Sequence, residues 1–144
     1  EKIRKGGKIE TTTGLHQVIE ETLAFIPEKE RKEAVRKSSQ RVFQALRIDV
    51  NNEFEVLYDF LDKLPGVLKP GGKVAILTFH SGEDRLVKNF LKTGNFEGKC
   101  EQDFFGNVRS PFRLVNNKVI VPTDEEVERN PRSRSAKLRI AEKV

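Results

Sequence analysis

Three stretches of this sequence gather side chains capable of chemistry. Phe79-His80-Ser81-Gly82-Glu83-Asp84-Arg85 holds an imidazole, two carboxylates and a guanidinium. There, His80 could hydrogen-bond a substrate or orient a loop, and Arg85 could meet a phosphate or a neighbouring acid. The same residues also read as local structure, with Ser81 capping a helix, Glu83 and Asp84 as first-turn acids favoured by the helix dipole, and His80 as a satisfied structural histidine. The second stretch runs from Arg129 to Arg139 and contains Arg129, Arg132, Arg134, Lys137 and Arg139 with no acid. Arg132, Arg134 and Lys137, interleaved with Ser133 and Ser135, offer the forks and hydroxyls that bind phosphate oxygens, and Pro131 restricts the segment. A solvated charged face is the plainer alternative. In the third, Gln44, Arg47, Asn51 and Asn52 form a polar stripe at helical spacing. Arg47, between Leu46 and Ile48, suits an interdomain tether, while Asn51 stands between a binding contact and a structural role.

Other chemistries find no foothold. His16 and His80 fall on distant elements, and Cys100 sits in an expected loop without a neighbouring histidine, so neither a metal site nor a thiol nucleophile is expected. No Gly-x-Ser-x-Gly elbow is present, which removes the common hydrolase reading. The charge balance is 27 Lys and Arg against 22 Asp and Glu, a net +5. The Arg129–Arg139 stretch accounts for all of it, so a polyanionic partner would meet that segment rather than a uniformly basic surface. With 144 residues and 36% apolar content, one domain with a modest core, or most of one plus an appendage, is expected. No apolar run approaches a membrane span and no export signal is seen, and the single cysteine suits a reducing compartment, so a cytoplasmic location is expected.

The elements that must position these residues follow from periodicity. Leu15, Val18, Ile19, Thr22, Leu23 and Ile26 predict an amphipathic helix with Thr13 as N-cap, broken by Pro27. Glu28 to Lys37 suits a short charged helix or connector, and Val42 to Leu64 a longer helix ending before Pro65-Gly66. Lys69-Pro70-Gly71-Gly72 predicts a tight turn. The unbroken apolar run Val74 to Phe79 predicts a strand covered on both faces in a parallel sheet. A helix with Leu86, Val87, Phe90 and Leu91 facing inward follows, then a loop over Asn95 to Ser110. Phe112 to Val121 reads as strand with a turn candidate at Asn116-Asn117. Thr123-x-x-Glu126 predicts a capped short helix ending by Asn130-Pro131. A last strand through Ala136, Leu138 and Ile140 would form an antiparallel edge hairpin with its predecessor. The whole is an α/β pattern.

Four strings, in order, resemble one family: Phe43-Gln44-Ala45-Leu46-Arg47-Ile48-Asp49-Val50-Asn51-Asn52-Glu53, Lys69-Pro70-Gly71-Gly72-Lys73, Thr78 to Arg85, and Asn130-Pro131-Arg132-Ser133-Arg134-Ser135-Ala136-Lys137-Leu138-Arg139. It is the MraW-type bacterial methyltransferase family, which uses S-adenosylmethionine to methylate N4 of a cytidine in small-subunit (16S) ribosomal RNA. The Lys-Pro-Gly-Gly turn is shared with many class I methyltransferases. The first and last strings are far more specific. This chain has Ser38-Ser39 where the family usually has His-Pro, and Gly82 where it usually has Leu. The family's opening glycine-rich loop, the acidic residue after its next strand and the motif beside the reacting base have no counterpart here.

The resemblance therefore implies the C-terminal part of a class I (Rossmann-like) methyltransferase sheet with an antiparallel edge hairpin, preceded by the end of a helical insertion. Residues 1–37 would close that substrate-recognition insertion, and 38–144 would form the C-terminal half of the methyltransferase domain. The implied partner is ribosomal RNA of the small subunit, with His80, Arg85, Asn51, Arg132, Arg134 and Lys137 as RNA-binding or active-face candidates. No catalytic residue, cofactor ligand or metal ligand is assigned within the segment. The first residue is Glu and Lys5-Gly6-Gly7-Lys8 lacks periodicity, which matches a chain beginning inside a longer protein. A non-catalytic RNA-binding or ribosome-assembly module derived from the family is the alternative. Because the main S-adenosylmethionine motif is missing, this chain alone should bind that donor no better than millimolar. Micromolar affinity by calorimetry would contradict the assignment.

Overall fold

The computed structural model describes residues 8–100, 104, 106 and 110–144. The chain divides into two compact units, Glu1–Glu53 and Phe54–Val144. The opening Glu1 to Gly7 and much of the expected Asn95–Ser110 loop lie outside the described residues.

In the first unit, helix α1 (Thr12–Thr22) is capped by Thr11 rather than Thr13, because the Thr11 hydroxyl accepts the Gly14 amide at 3.0 Å. Leu15 and Ile19 are its buried residues. Pro27 ends the approach, and its carbonyl accepts the Glu30 and Arg31 amides that open α2 (Glu28–Val50). Arg31 also donates to the Ala24 and Ile26 carbonyls, satisfying groups left over where the first helix stops. Helix α2 runs unbroken through Lys37, so the charged stretch is its first half and not a separate connector. Its buried residues are Val35 and Ser39, and the Ser39 hydroxyl lies 2.9 Å from His16 Nδ1.

The long helix expected over Val42–Leu64 is instead two. Asn51 and Asn52 form a turn between α2 and α3 (Glu53–Val67), with Asn52 at φ 50°, a left-handed conformation that asparagine tolerates better than most side chains. An apolar repeat on both sides of such a turn looks continuous because the turn itself removes no hydrophobic position.

In the second unit, α3 continues through Pro65, and its last carbonyls are closed by Lys143, whose ammonium bonds to the carbonyls of Pro65 and Leu68. The Lys69–Gly72 turn leads into β1 (Lys73–Thr78). Gly71 sits at φ 78°, and a Cβ at Gly72 would meet the Lys69 carbonyl oxygen at 2.8 Å, so both glycines are required. Helix α4 (Ser81–Thr93) follows β1 and ends at Gly94, φ 76°. Then come β2 (Phe112–Leu114), α5 (Asp124–Arg129), a 3₁₀ turn (Pro131–Ser135) and β3 (Lys137–Lys143). The strand expected over Phe112–Val121 is thus short, and Ile120 makes only an isolated bridge to Leu138.

The sheet order is β1-β3-β2, with β3 antiparallel to both neighbours. β1 and β2 therefore point the same way, with α4 in the connection between them. The expected antiparallel pairing of the last two strands is present, but β3 lies in the middle rather than at an edge. Leu61 and Leu64 from α3, Ile76 from β1, Leu86, Val87, Phe90 and Leu91 from α4, Phe112 and Ala141 form the core. Each large side chain buried there contributes about 1.5–3 kcal/mol.

Coverage of β1 differs from the expectation. Ile76 and Thr78 are buried on the α4 side, whereas Ala75, Leu77 and Phe79 are exposed, the last two at 53% each. The apolar run fits a two-sided environment, and the described residues supply one side. Such an uncovered face beside a strand edge unpaired among the described residues favours self-association. Leu77→Lys should reduce association measured by light scattering across a concentration series, and a clean wild-type monomer at high concentration would refute the expectation.

Candidate nucleic-acid interface

The loop after β1 is organised by His80, not Ser81. His80 is the N-cap of α4, its Nδ1 accepting the Gly82 and Glu83 amides at 3.2 and 3.3 Å. Glu83 completes the exchange by taking the Phe79 and His80 amides at 3.0 and 3.2 Å. An accepting Nδ1 places the ring proton on Nε2, which lies buried 3.3 Å from a Glu83 carboxylate oxygen. Histidine is an uncommon cap, so the sequence signal pointed to the serine beside it. The geometry shows His80 ordering this loop through Nδ1.

Asp84, read as a first-turn acid, has a larger task. Its carboxylate receives Arg139 Nε at 2.7 Å, Arg139 Nη2 at 3.1 Å and Lys137 Nζ at 3.3 Å, joining α4 to β3. The Asp84 and Arg139 side chains are 10% and 12% exposed. Burial pushes the carboxyl pKa up, but hydrogen bonds and charge from Arg139, then Lys137, outweigh it and hold Asp84 below its ordinary value. Lys137, a phosphate-contact candidate, is thus engaged within the fold.

The 3₁₀ turn presents the remaining cations. Ser133 is buried, its hydroxyl bonded to the Asn130 carbonyl at 2.8 Å, so it is a fastening of the turn and not a phosphate donor. Arg132 and Arg134 on either side of it are exposed. Arg132 lines an open groove of about 600 Å³ with Leu77, Phe79, Ile120 and Asn130, which brings the basic segment to the β1 end. Thr123 caps α5 as expected, accepting the Glu126 amide at 3.2 Å. Arg85 is exposed and lines a different cleft, on the α3–α4 side, with Phe54, Tyr58 and Phe96. The aromatic character of that cleft went unread in the sequence, because Phe54, Tyr58 and Phe96 belong to segments with no shared motif.

In the first unit, Asn51 is the C-cap of α2 and sits 3.4 Å from Glu53. Arg47 makes a two-pronged pair with the same carboxylate at 2.7 and 3.0 Å. Both side chains hold the α2–α3 turn.

Gly71 and Gly72 do not fit the cradle of a nucleoside donor. They precede β1 instead of linking a strand to a following helix, and their amides are taken by the Lys143 and Lys69 carbonyls, each at 2.8 Å. Among the described residues no helix is long and apolar enough to cross a membrane.

An α/β unit with a cation-bearing turn beside an apolar groove narrows the class to which the chain can be compared. The MraW methylase family model matches residues 1–144, and the chain belongs to that family. It is 64% identical over 143 residues to ribosomal RNA small subunit methyltransferase H of Parabacteroides distasonis, covering 99% of this chain and 45% of that protein. The protein of the same name from Bacteroides fragilis is 57% identical, with 99% and 44% covered. Ribosomal RNA small subunit methyltransferase H 1 of Agathobacter rectalis is 52% identical, with 98% and 37% covered. The chain thus spans less than half the length of these relatives.

Removing one partner from the buried Asp84 cluster leaves a charge unpaired. Arg139→Met should cost about 3–5 kcal/mol in urea unfolding, and Lys137→Met, more exposed, about 1 kcal/mol or less. Because the folded carboxyl titrates below its unfolded value, its stabilisation is complete above about pH 4 and is lost as pH falls through the lowered folded value. Equal costs for the two variants, or an Asp84→Asn protein with unchanged acid sensitivity, would contradict this account.

Proposed function

We propose that the chain is the C-terminal portion of a cytoplasmic, S-adenosylmethionine-dependent methyltransferase acting on N4 of a cytidine in small-subunit ribosomal RNA. In this reading it completes the sheet of a class I (Rossmann-like) domain and contacts RNA. Residues 1–37 close a helical substrate-recognition insertion and 38–144 belong to the catalytic domain. The donor is held by residues outside this chain.

The observation that carries the reading is the condition of β1. It points the same way as β2 with a helix in the connection, although the strand between them, β3, is antiparallel to both. Its exposed Ala75, Leu77 and Phe79, and an edge unpaired among the described residues, suit a strand inside a larger doubly wound sheet. The names of the relatives supply the substrate class. Arg132 and Arg134, exposed on a fastened turn, supply phosphate contacts that position RNA without naming a base. His80 and Arg85, near the carboxyl end of β1, lie where ligands meet open α/β sheets.

The test joins this chain to the upstream part of the Parabacteroides distasonis relative and supplies small ribosomal subunits lacking base methylation. N4-methylcytidine in the digested RNA is the expected product. Arg132→Ala with Arg134→Ala in the same hybrid should weaken RNA binding and reduce the log–log salt slope by roughly 1.4, two phosphates at about 0.7 each. A hybrid that folds and binds RNA but yields no methylated cytidine refutes the enzymatic reading, and an unchanged slope refutes phosphate contact by these arginines.

A further inference from the structure

Within the second unit a cleft of about 560 Å³ opens between α3 and α4, lined by Phe54, Tyr58, Arg85, Asn89, Phe96 and Glu97. Its walls are aromatic and ordered by one another. Phe96 stacks on the buried Phe90 ring, with centroids 5.0 Å apart and planes 23° from parallel. Tyr58 meets Phe96 edge-on at 4.7 Å while remaining 41% exposed, so an aromatic surface backed by the core faces solvent. The Asn89 amide donates to the Phe96 carbonyl at 3.1 Å, which fixes the loop carrying that ring.

Gly82 also lines the cleft. A Cβ there would meet Phe54 Cζ at 2.9 Å and His80 Nδ1 at 3.1 Å, so a larger residue would displace the wall. Arg85, exposed on the rim, has no hydrogen-bond or ion-pair partner among the described residues. Asn89 and Glu97 add polar groups around the apolar surface.

A purely apolar ligand would leave Arg85 unused, and an inorganic anion would leave the aromatic surface unused. A nucleotide uses both, its base against the rings and its phosphate at the guanidinium. We propose that this cleft holds one unpaired nucleotide of a single-stranded RNA, packed against Tyr58 and Phe96 with its phosphate at Arg85. The proposal deepens the RNA-contact part of the proposed function and rests on that reading for the identity of the polymer. It assigns the cleft a role separate from the Arg132–Arg134 turn, which touches backbone alone.

The probe is a single-stranded RNA hexamer carrying 2-aminopurine, whose fluorescence is quenched when the base stacks. The full 144-residue chain should quench it on binding. Tyr58→Leu should abolish the quench and weaken binding about tenfold. Arg85→Gln should lower the salt slope by about 0.7. Lys88→Gln, a neighbouring exposed cation on α4 outside the cleft, should leave the quench intact. Circular dichroism confirms that each variant keeps its fold. Free cytidine monophosphate should compete far more weakly than the hexamer.

Wild-type quench and affinity in both Tyr58→Leu and Arg85→Gln would overturn the proposal, as would binding without quench, failure of the wild-type chain to bind, or equal competition by the free nucleotide. The two readings fail separately. Loss of binding in the Arg132 and Arg134 variant with none at Tyr58 removes the cleft and leaves the interface, whereas a Tyr58-dependent quench with an inactive hybrid leaves the cleft and removes the methyltransferase.

Discussion

β1 and β2 both find their backbone partner on one strand, Lys137–Lys143, and that strand is the last element of the sequence. The second unit therefore depends on a contact of high sequence separation. Lys73 pairs with Glu142 and Phe112 with Lys143, so neither earlier strand has a ladder until the end of the chain arrives. The same strand fastens two other places. Lys143 closes the carbonyl end of α3, and Arg139 with Lys137 holds Asp84 on α4. Losing β3 would free a helix end, a buried carboxylate and two strand edges together, which ties the outer parts of the unit into one cooperative structure.

This geometry also explains why one surface of β1 is finished and the other is not. Strand residues alternate sides, so the register that places Val74, Ile76 and Thr78 over α4 turns Ala75, Leu77 and Phe79 outward. A strand meant for a single packed layer would carry polar residues at those outward positions. The sequence carries apolar ones, the pattern that the proposed doubly wound sheet would require.

Much of this was legible beforehand where a local signal coincided with a local cause. The Pro-Gly-Gly turn, the Thr123 cap, the inward face of α4 and the α/β pattern each follow from residues within a turn or two of one another. What escaped depended on contacts between distant positions or on an uncommon substitute. The break at Asn51–Asn52 left the apolar repeat intact. His80 took a cap that serine statistics favour. Lys137 and Arg139 read as part of a uniform basic run because their carboxylate partner lies more than fifty positions earlier. The Tyr58–Phe96 wall joins two segments that share no periodicity.

The basic run is accordingly two things. Arg139 and Lys137 neutralise a carboxylate whose burial would otherwise penalise the fold, so their charge is already committed. Arg132 and Arg134 lie on a turn fixed by a buried serine and carry no such obligation among the described residues. Alternation along the segment separates the duties, because the 3₁₀ turn buries Ser133 between two outward arginines, while the strand that follows directs Lys137 and Arg139 to α4. A polyanion approaching this end of the molecule meets fewer free cations than the sequence counts, but meets them on a backbone already held in place. In the proposed RNA contact, such a fixed backbone would limit the entropy lost on binding, which a longer flexible run would have to lose.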